Sequence, residues 1–228
     1  MSKLPFVTAN FAVTADGKIT TRNRTPADFS SKEDKRRLLE IRATGDAVLV
    51  ARGTVERDQM TMGMPDGGLR AERVKRGQAP YPIRVIVSNS GRIDPGLPVF
   101  QKDFSPIHVF STTRMPKTAL QRLERVSTVH CHAGDVVDLA AMLAELRSAY
   151  GIGRVVCEGG ATLFRTLLEC RLVDELHVTL CPCVFGGAKA VSLSGVAGDF
   201  LPTSVRCRLA EMEVIGEECF LRYAVTRD

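Results

Sequence analysis

Residues 154–165 read RVVCEGGATLFR. Val155, Val156 and Cys157 form a short apolar run of the kind that becomes a strand covered on both faces. Glu158, Gly159 and Gly160 end it, and Leu163, Phe164, Leu167 and Leu168 then recur at helical spacing on one stripe. A strand feeding a helix through a glycine pair is the joint from which α/β sheets are built. The same joint invites an anion, because bare backbone N–H groups at a helix start attract negative charge. The carboxylate of Glu158 is the anomaly. It is either a solvated turn residue or it faces something other than that anion.

Outward from this joint the pattern repeats. A helix is predicted over Asp135–Tyr150, with Val136, Leu139, Ala140, Leu143 and Leu146 at spacings of three and four. SSKEDKRRLLEIRA makes another, capped by Ser30 or Ser31 with acidic residues in its first turn, and KTALQRLERV a shorter one. Strands are expected at FVTANFAVT, DAVLVA, IRVIVS, IHVFST, STVHCH, RVVC and ELHVTLC. SVRCRLAEMEVI and CFLRYAVT alternate around GEE and read as a terminal antiparallel hairpin. The fold class is therefore α/β: a mixed, mostly parallel sheet flanked by helices, in a single domain over residues 1–228. The stretch 61–82, rich in Gly, Pro and charge, is expected to be a long loop or lid within it.

Composition narrows the function classes. A net charge of +5, with its basic residues dispersed and not interleaved with aromatics, argues against a nucleic-acid track. It still favours an anionic ligand such as a phosphorylated metabolite. The chain has no long apolar run, so no membrane span is expected and the protein is read as cytoplasmic. Seven cysteines without a CxxC pair make a disulfide framework unexpected. His130 and His132 share a strand face but lack a convincing third ligand, so they are read as surface strand residues and no metal is expected. Met60, Met62 and Met64 alternate, which suits loop packing and, less simply, the wall of an apolar pocket.

Two further strand ends carry turn chemistry. In TADGKITT, Asp16-Gly17 suits a tight turn and Lys18 follows as a cation. In VLVARGTVERD, Gly53 and Thr54 open a short helical turn, where the threonine is equally an N-cap or a phosphate ligand. Ligands of open α/β sheets collect outside the carboxyl ends of the strands. Neither glycine site matches G-x-G-x-x-G or the Walker pattern.

In family order, TADGKI, IRATGDAVLVARGTV, IRVIVSNSGRI and EGGATLF…LVDELHVTLCPCVFGG span nearly the whole chain. Together they resemble the reductase domain of riboflavin biosynthesis, the C-terminal half of the bacterial deaminase-reductase and its stand-alone archaeal counterparts. The deaminase signature, H-x-E followed by P-C-x-x-C, is absent. The resemblance implies a dihydrofolate-reductase-like fold and an NADPH-dependent reductase acting on a ribosylaminopyrimidine 5′-phosphate by hydride transfer to C1′. That substrate is 5-amino-6-(5-phosphoribosylamino)uracil or its 2,5-diamino pyrimidinone analogue. A homodimer is also implied.

The resemblance further implies roles. Ala12 would line the nicotinamide site. Gly53, Thr54 and Asp58 would bind NADPH, with Ser88 and Asn89 at its adenosine side. Gly159, Gly160, Ala161, Thr162 and Leu163 would cradle the pyrophosphate. Arg42 and Glu158 would contact substrate, and Glu158 and Lys18 are the candidate catalytic groups. Glu158 would then meet a diaminopyrimidine edge or a cation.

The chain departs from the family at RDQMTMGMPDGG, where relatives read Asp-Asp-Pro and then Leu-Thr-x-Arg, and at PADFSS, where the aromatic of the family's S-x-W-I element is missing. Arg70 or Arg73 would replace the lost phosphate-anchoring arginine. Two alternatives stay open: a reductase of a pterin or folate-like ring, and a NADP-binding protein without turnover.

Overall fold

The computed structural model describes residues 4–21, 29–195 and 200–226. Positions 26–28 of the PADFSS departure lie outside the described residues. Internal packing divides the chain into two compact units: Met1–Pro5 with Arg42–Val156, and Phe6–Ile41 with Cys157–Asp228. Each unit is assembled from two separate stretches. No single cut in the sequence parts them, and so no linker was there to be read.

In the first unit, β2 (Ala47–Ala51), β3 (Ile83–Val87), β4 (Ile107–Thr112) and β5 (Thr128–His132) pair in parallel. Ala51 lies opposite Val87, Val87 opposite Phe110, and Thr112 opposite His132. The strand order across the unit is β5-β4-β3-β2-β6, where β6 is Arg154–Cys157. The apolar run Ala47–Val50 is fully buried, as a strand covered on both faces requires. Val48, Val50, Ile86, Val99, Val109 and Leu123 belong to one core cluster with Met62. Asp46 ties the starts of three strands together: its carboxylate accepts the N–H groups of Gly153 and Arg154 at 2.8 and 2.9 Å, and its carbonyl accepts that of Ile83.

Two expectations change here. The predicted helix at Asp135–Tyr150 is α5 (Leu139–Tyr150), because Asp138 caps it by accepting from the N–H groups of Ala140 and Ala141. The segment 61–82 is not irregular throughout. It holds α3 (Gly67–Lys75), capped by the Asp66 carboxylate on Leu69 N–H at 3.0 Å. Met62 and Met64 are each 1 % exposed, so the alternating methionines are core residues and not a pocket wall.

In the second unit, β1 (Phe6–Thr14) pairs in parallel with β7 (Glu175–Cys181). β7 pairs antiparallel with β9 (Glu218–Val225), and β9 with β8 (Cys207–Ile215). Gly216 and Glu217 join the last two, which is the hairpin the alternation predicted. The order is β1-β7-β9-β8. Register places Phe11, Val178, Leu221 and Met212 on one face. Helix α6 (Ala161–Glu169) packs there through Phe164, whose ring centroid is 4.8 Å from that of Phe11. Helix α1 (Lys32–Thr44) meets the opposite face, with Arg37 over the Phe220 ring at 4.6 Å. Of the two candidate caps it is Ser31 that acts: its hydroxyl accepts from Glu33 and Asp34 N–H and donates to the Glu218 carboxylate at 2.5 Å. None of the seven cysteines, all of them among the described residues, is in a disulfide.

Candidate functional site

The sequence-predicted residues fall into two sets, one in each unit. In the first unit β2 runs straight into α2 (Arg52–Asp58), so Gly53 and Thr54 lie in the first turn and Asp58 at the end. Ala51 is the N-cap and makes no side-chain cap bond. Thr54 is therefore not the cap, which removes one of its two readings. It is buried, and Asp58 is exposed. Ser88 and Asn89 follow β3 directly, and the Ala51–Val87 register brings this strand end beside that of β2. Gly53, Thr54, Ser88 and Asn89 thus share one carboxyl edge of parallel strands.

That edge is held by a dense set of hydrogen bonds. Ser88 N–H donates to Phe110 carbonyl at 3.0 Å, its hydroxyl accepts from Gly91 N–H at 3.1 Å, and its carbonyl accepts from Ser111 Oγ at 2.7 Å. The Asn89 carbonyl accepts from Thr112 Oγ1 at 2.8 Å, and Asn89 Oδ1 accepts from Val137 N–H at 3.1 Å. The side-chain oxygen of Asn89 is thus used to anchor the chain ahead of α5. Its amide nitrogen is the group left for a ligand.

The arginines divide sharply. Arg42 is buried and donates to the Gly63 carbonyl. Arg70 Nη1 donates to the carbonyls of Met64 and Pro65 at 2.7 Å each, and its guanidinium lies 5.4 Å from the Tyr81 ring centroid. Arg73 is 1 % exposed, donating to the carbonyls of Ala43, Gly45 and Ala79, and burial pushes its pKa down. A charge so enclosed is tolerated because carbonyl oxygens surround it. Arg73 cannot replace a phosphate anchor. Arg70 is only half-buried.

In the second unit, Ala12 is half-buried on β1 opposite Thr179. Beyond it Thr14 N–H donates to the Lys18 carbonyl and Lys18 N–H donates to Thr14 Oγ1, each at 2.9 Å, and Lys18 bridges to Ser192. Glu158 is half-buried immediately after β6. Gly159 has φ 105°, a left-handed value that a side chain resists, and its peptide to Gly160 is cis. Gly160 is the N-cap of α6 and brings no side chain to the orphan donors; the first helical bond is Phe164 N–H to Gly160 carbonyl at 3.0 Å. The N–H groups of Ala161, Thr162 and Leu163 are thus uncapped by any side chain at the N-cap. A pyrophosphate fits that donor set.

Sequence reading singled out Asp16 only as a turn residue. In the structure its carboxylate accepts from Thr14 Oγ1 at 2.5 Å and from the N–H groups of Phe185 and Gly186 at 3.2 and 2.7 Å. The Thr14 hydroxyl and these N–H groups hold its pKa down at about 2. Asp16 so fixes the glycine loop after β7 to the turn that carries Lys18. The only sequence signal was a short Asp-Gly turn, and its partner lies about 170 residues away.

The histidines also differ from expectation. His130 Nδ1 lies 2.7 Å from Glu145, its Nε2 lies 3.0 Å from His108 Nδ1, and its ring stacks on Phe110 at 4.2 Å. His132 Nε2 is 3.4 Å from the other Glu145 oxygen. They are packed polar residues, not surface strand residues. Among the described residues no group of three or more His, Cys, Asp or Glu side chains could hold a metal.

Glycine-bearing ends of parallel strands, and in the second unit a helix start without a side-chain cap beside a carboxylate, are features at which open α/β folds take anionic ligands. The chain belongs to the RibD C-terminal domain family, which it matches over residues 5–221. It is 32 % identical over 222 residues to 2,5-diamino-6-ribosylamino-4(3H)-pyrimidinone 5′-phosphate reductase of Methanothermobacter thermautotrophicus, covering 97 % of this chain and 98 % of that one. The protein of the same name from Archaeoglobus fulgidus is 30 % identical over 213 residues, covering 93 % and 94 %. Among solved structures, a pyrimidine reductase-like protein of Corynebacterium diphtheriae shares the fold with a TM-score of 0.84 at 21 % identity, over 98 % of this chain and 93 % of the other. The expected fold class is thereby confirmed. Among the described residues no helix is long and apolar enough to cross a membrane.

Proposed function

We propose that this chain is an NADPH-dependent reductase of a ribosylaminopyrimidine 5′-phosphate in riboflavin biosynthesis, acting in the cytoplasm as a homodimer. The names of the two archaeal relatives favour the 2,5-diamino pyrimidinone form of the substrate. The observation that carries the reading is the side-chain-free start of α6 at Gly160, two residues after Glu158. NADPH, held by the residues named below, would supply the hydride for reduction at C1′ of the ring-opened ribosylamino group, which with one proton would become a ribitylamino chain.

The roles follow from the donors each residue offers. Backbone N–H groups from Gly160 to Leu163 meet the pyrophosphate. Thr54, beside Gly53 and with Asp58 at the far end of its helix, contributes to the cofactor site, with Ser88 and Asn89 at the adenosine side. Ala12, small and half-buried, leaves room for the nicotinamide ring. Glu158 accepts from the amino groups of the pyrimidine, and Arg42 and Arg70 attract the substrate phosphate. Lys18 is the side chain assigned to proton delivery, alongside water and the substrate hydroxyls.

The decisive experiment follows NADPH oxidation with the diamino pyrimidinone substrate. Steady turnover is expected. Glu158→Gln should keep NADPH affinity and lower kcat/KM about 10- to 100-fold, the worth of one charge-assisted hydrogen bond. Gly160→Asp should weaken NADPH binding by about tenfold or more, because it puts a like charge beside the pyrophosphate. NADPH binding without turnover would leave a binding protein and overturn the enzyme reading. Loss of cofactor binding alone in Glu158→Gln would overturn the role of the carboxylate.

A further inference from the structure

Helix α6 runs for nine residues from its N-cap at Gly160, so its other end lies about 13 Å away at 1.5 Å per residue. At that other end the second unit forms a cavity of about 230 Å³, lined by none of the residues assigned above. Leu168 and Val173, both buried, give it apolar wall, together with Val225 at the end of β9. Thr203 and Ser204 add hydroxyls. Arg171 and Arg206 add two positive charges, and neither guanidinium has a hydrogen-bond or ion-pair partner among the described residues. The acidic residue in the wall, Glu169, is already matched: Arg165 Nε donates to its carboxylate at 2.8 Å.

Arg171 holds an unusual backbone position. Its φ is 54°, in the left-handed region, where it closes α6 by donating its N–H to the Leu168 carbonyl at 2.9 Å. Glycine is favoured at such a helix end. An arginine gives up that ease and places a cation on the cavity wall.

We propose that this cavity binds a small organic anion: a compact aromatic or apolar body carrying one oxyanion. The oxyanion is taken by Arg171 and Arg206 with the hydroxyls of Thr203 and Ser204, because two guanidiniums offer paired N–H donors to phosphate or carboxylate. The body lies against Leu168, Val173 and Val225. The volume, smaller than that of a drug-sized site, limits the body to about one ring.

The test titrates the full chain, with NADPH present, with phenyl phosphate, benzoate and inorganic phosphate by calorimetry. Saturable one-to-one binding of phenyl phosphate or benzoate is expected, with inorganic phosphate weaker by about tenfold or more because it lacks the apolar body. Which of the two binds tells a phosphate ester from a carboxylate. Arg206→Gln and Arg171→Gly should each weaken binding about tenfold or more. Arg171→Gly should do so with an unchanged or raised Tm, since glycine relieves the left-handed position. Gly160→Asp should leave this binding unaltered. No saturable binding of either aryl anion, or binding indifferent to both arginine variants, overturns the proposal. So does a loss of binding in Arg171→Gly that only tracks a fall in Tm.

Discussion

His108 shows how a single residue reports its surroundings. It is 3 % exposed, and burial, reinforced by the neighbouring His130, pushes its pKa down to about 4, although Glu145 beyond His130 acts the other way. The Tyr150 ring, edge-on at 4.3 Å, closes another side. The sign of the consequence follows from proton counting. Between the unfolded value near 6.5 and the folded value near 4, the unfolded chain binds more protons, so stability falls as pH drops through that window. From pH 7 to pH 5 the loss from this group is about 2 kcal/mol. Urea unfolding at the two pH values measures it, and His108→Phe should flatten the dependence. An equal acid slope in that variant would assign the loss to other groups.

At the scale of elements, the caps set boundaries that periodicity alone misplaced. The stripe Val136–Leu146 predicts a helix from Asp135, yet Asp138 satisfies two N–H groups and starts the helix after itself. Replacing that carboxylate leaves both donors without their acceptor. Asp138→Ala should cost about 1 kcal/mol, read as a lower urea midpoint at unchanged slope. Helix α3 was missed for a related reason. Its Gly67-Gly68 opening and charged face read as loop, and what secures it is the Asp66 cap and the burial of Arg73 against distant carbonyls.

At the scale of the molecule, the hairpin leaves an apolar face open. α6 packs over Phe11 on β1, but farther along the same face Leu209, Met212 and Val214 of β8 are exposed, at 48, 61 and 64 %. Beside them lie Tyr223, Leu221 and Cys219 of β9. Burying a side chain of this kind is worth about 1.5–3 kcal/mol, so an isologous contact between two copies gains from every one of them twice. This is the surface that the proposed homodimer would bury. Met212→Asp with Val214→Asp should shift sedimentation from dimer to monomer with unchanged far-ultraviolet circular dichroism. A native chain that sediments as a monomer, or a variant that stays dimeric, would place the interface elsewhere or nowhere.

The nine strands among the described residues, the terminal hairpin and the helix after Gly160 were set by the sequence itself, because hydrophobic periodicity and glycine chemistry act between neighbours. The division into two interleaved units was not, since each unit joins stretches far apart in the chain. The same holds for the role of Asp16, whose partners are Phe185 and Gly186, and for the burial of Arg73. A carboxylate or guanidinium has the same letter whether it faces water, a ligand or a buried carbonyl. Its use is fixed only when folding brings its partner within hydrogen-bond reach.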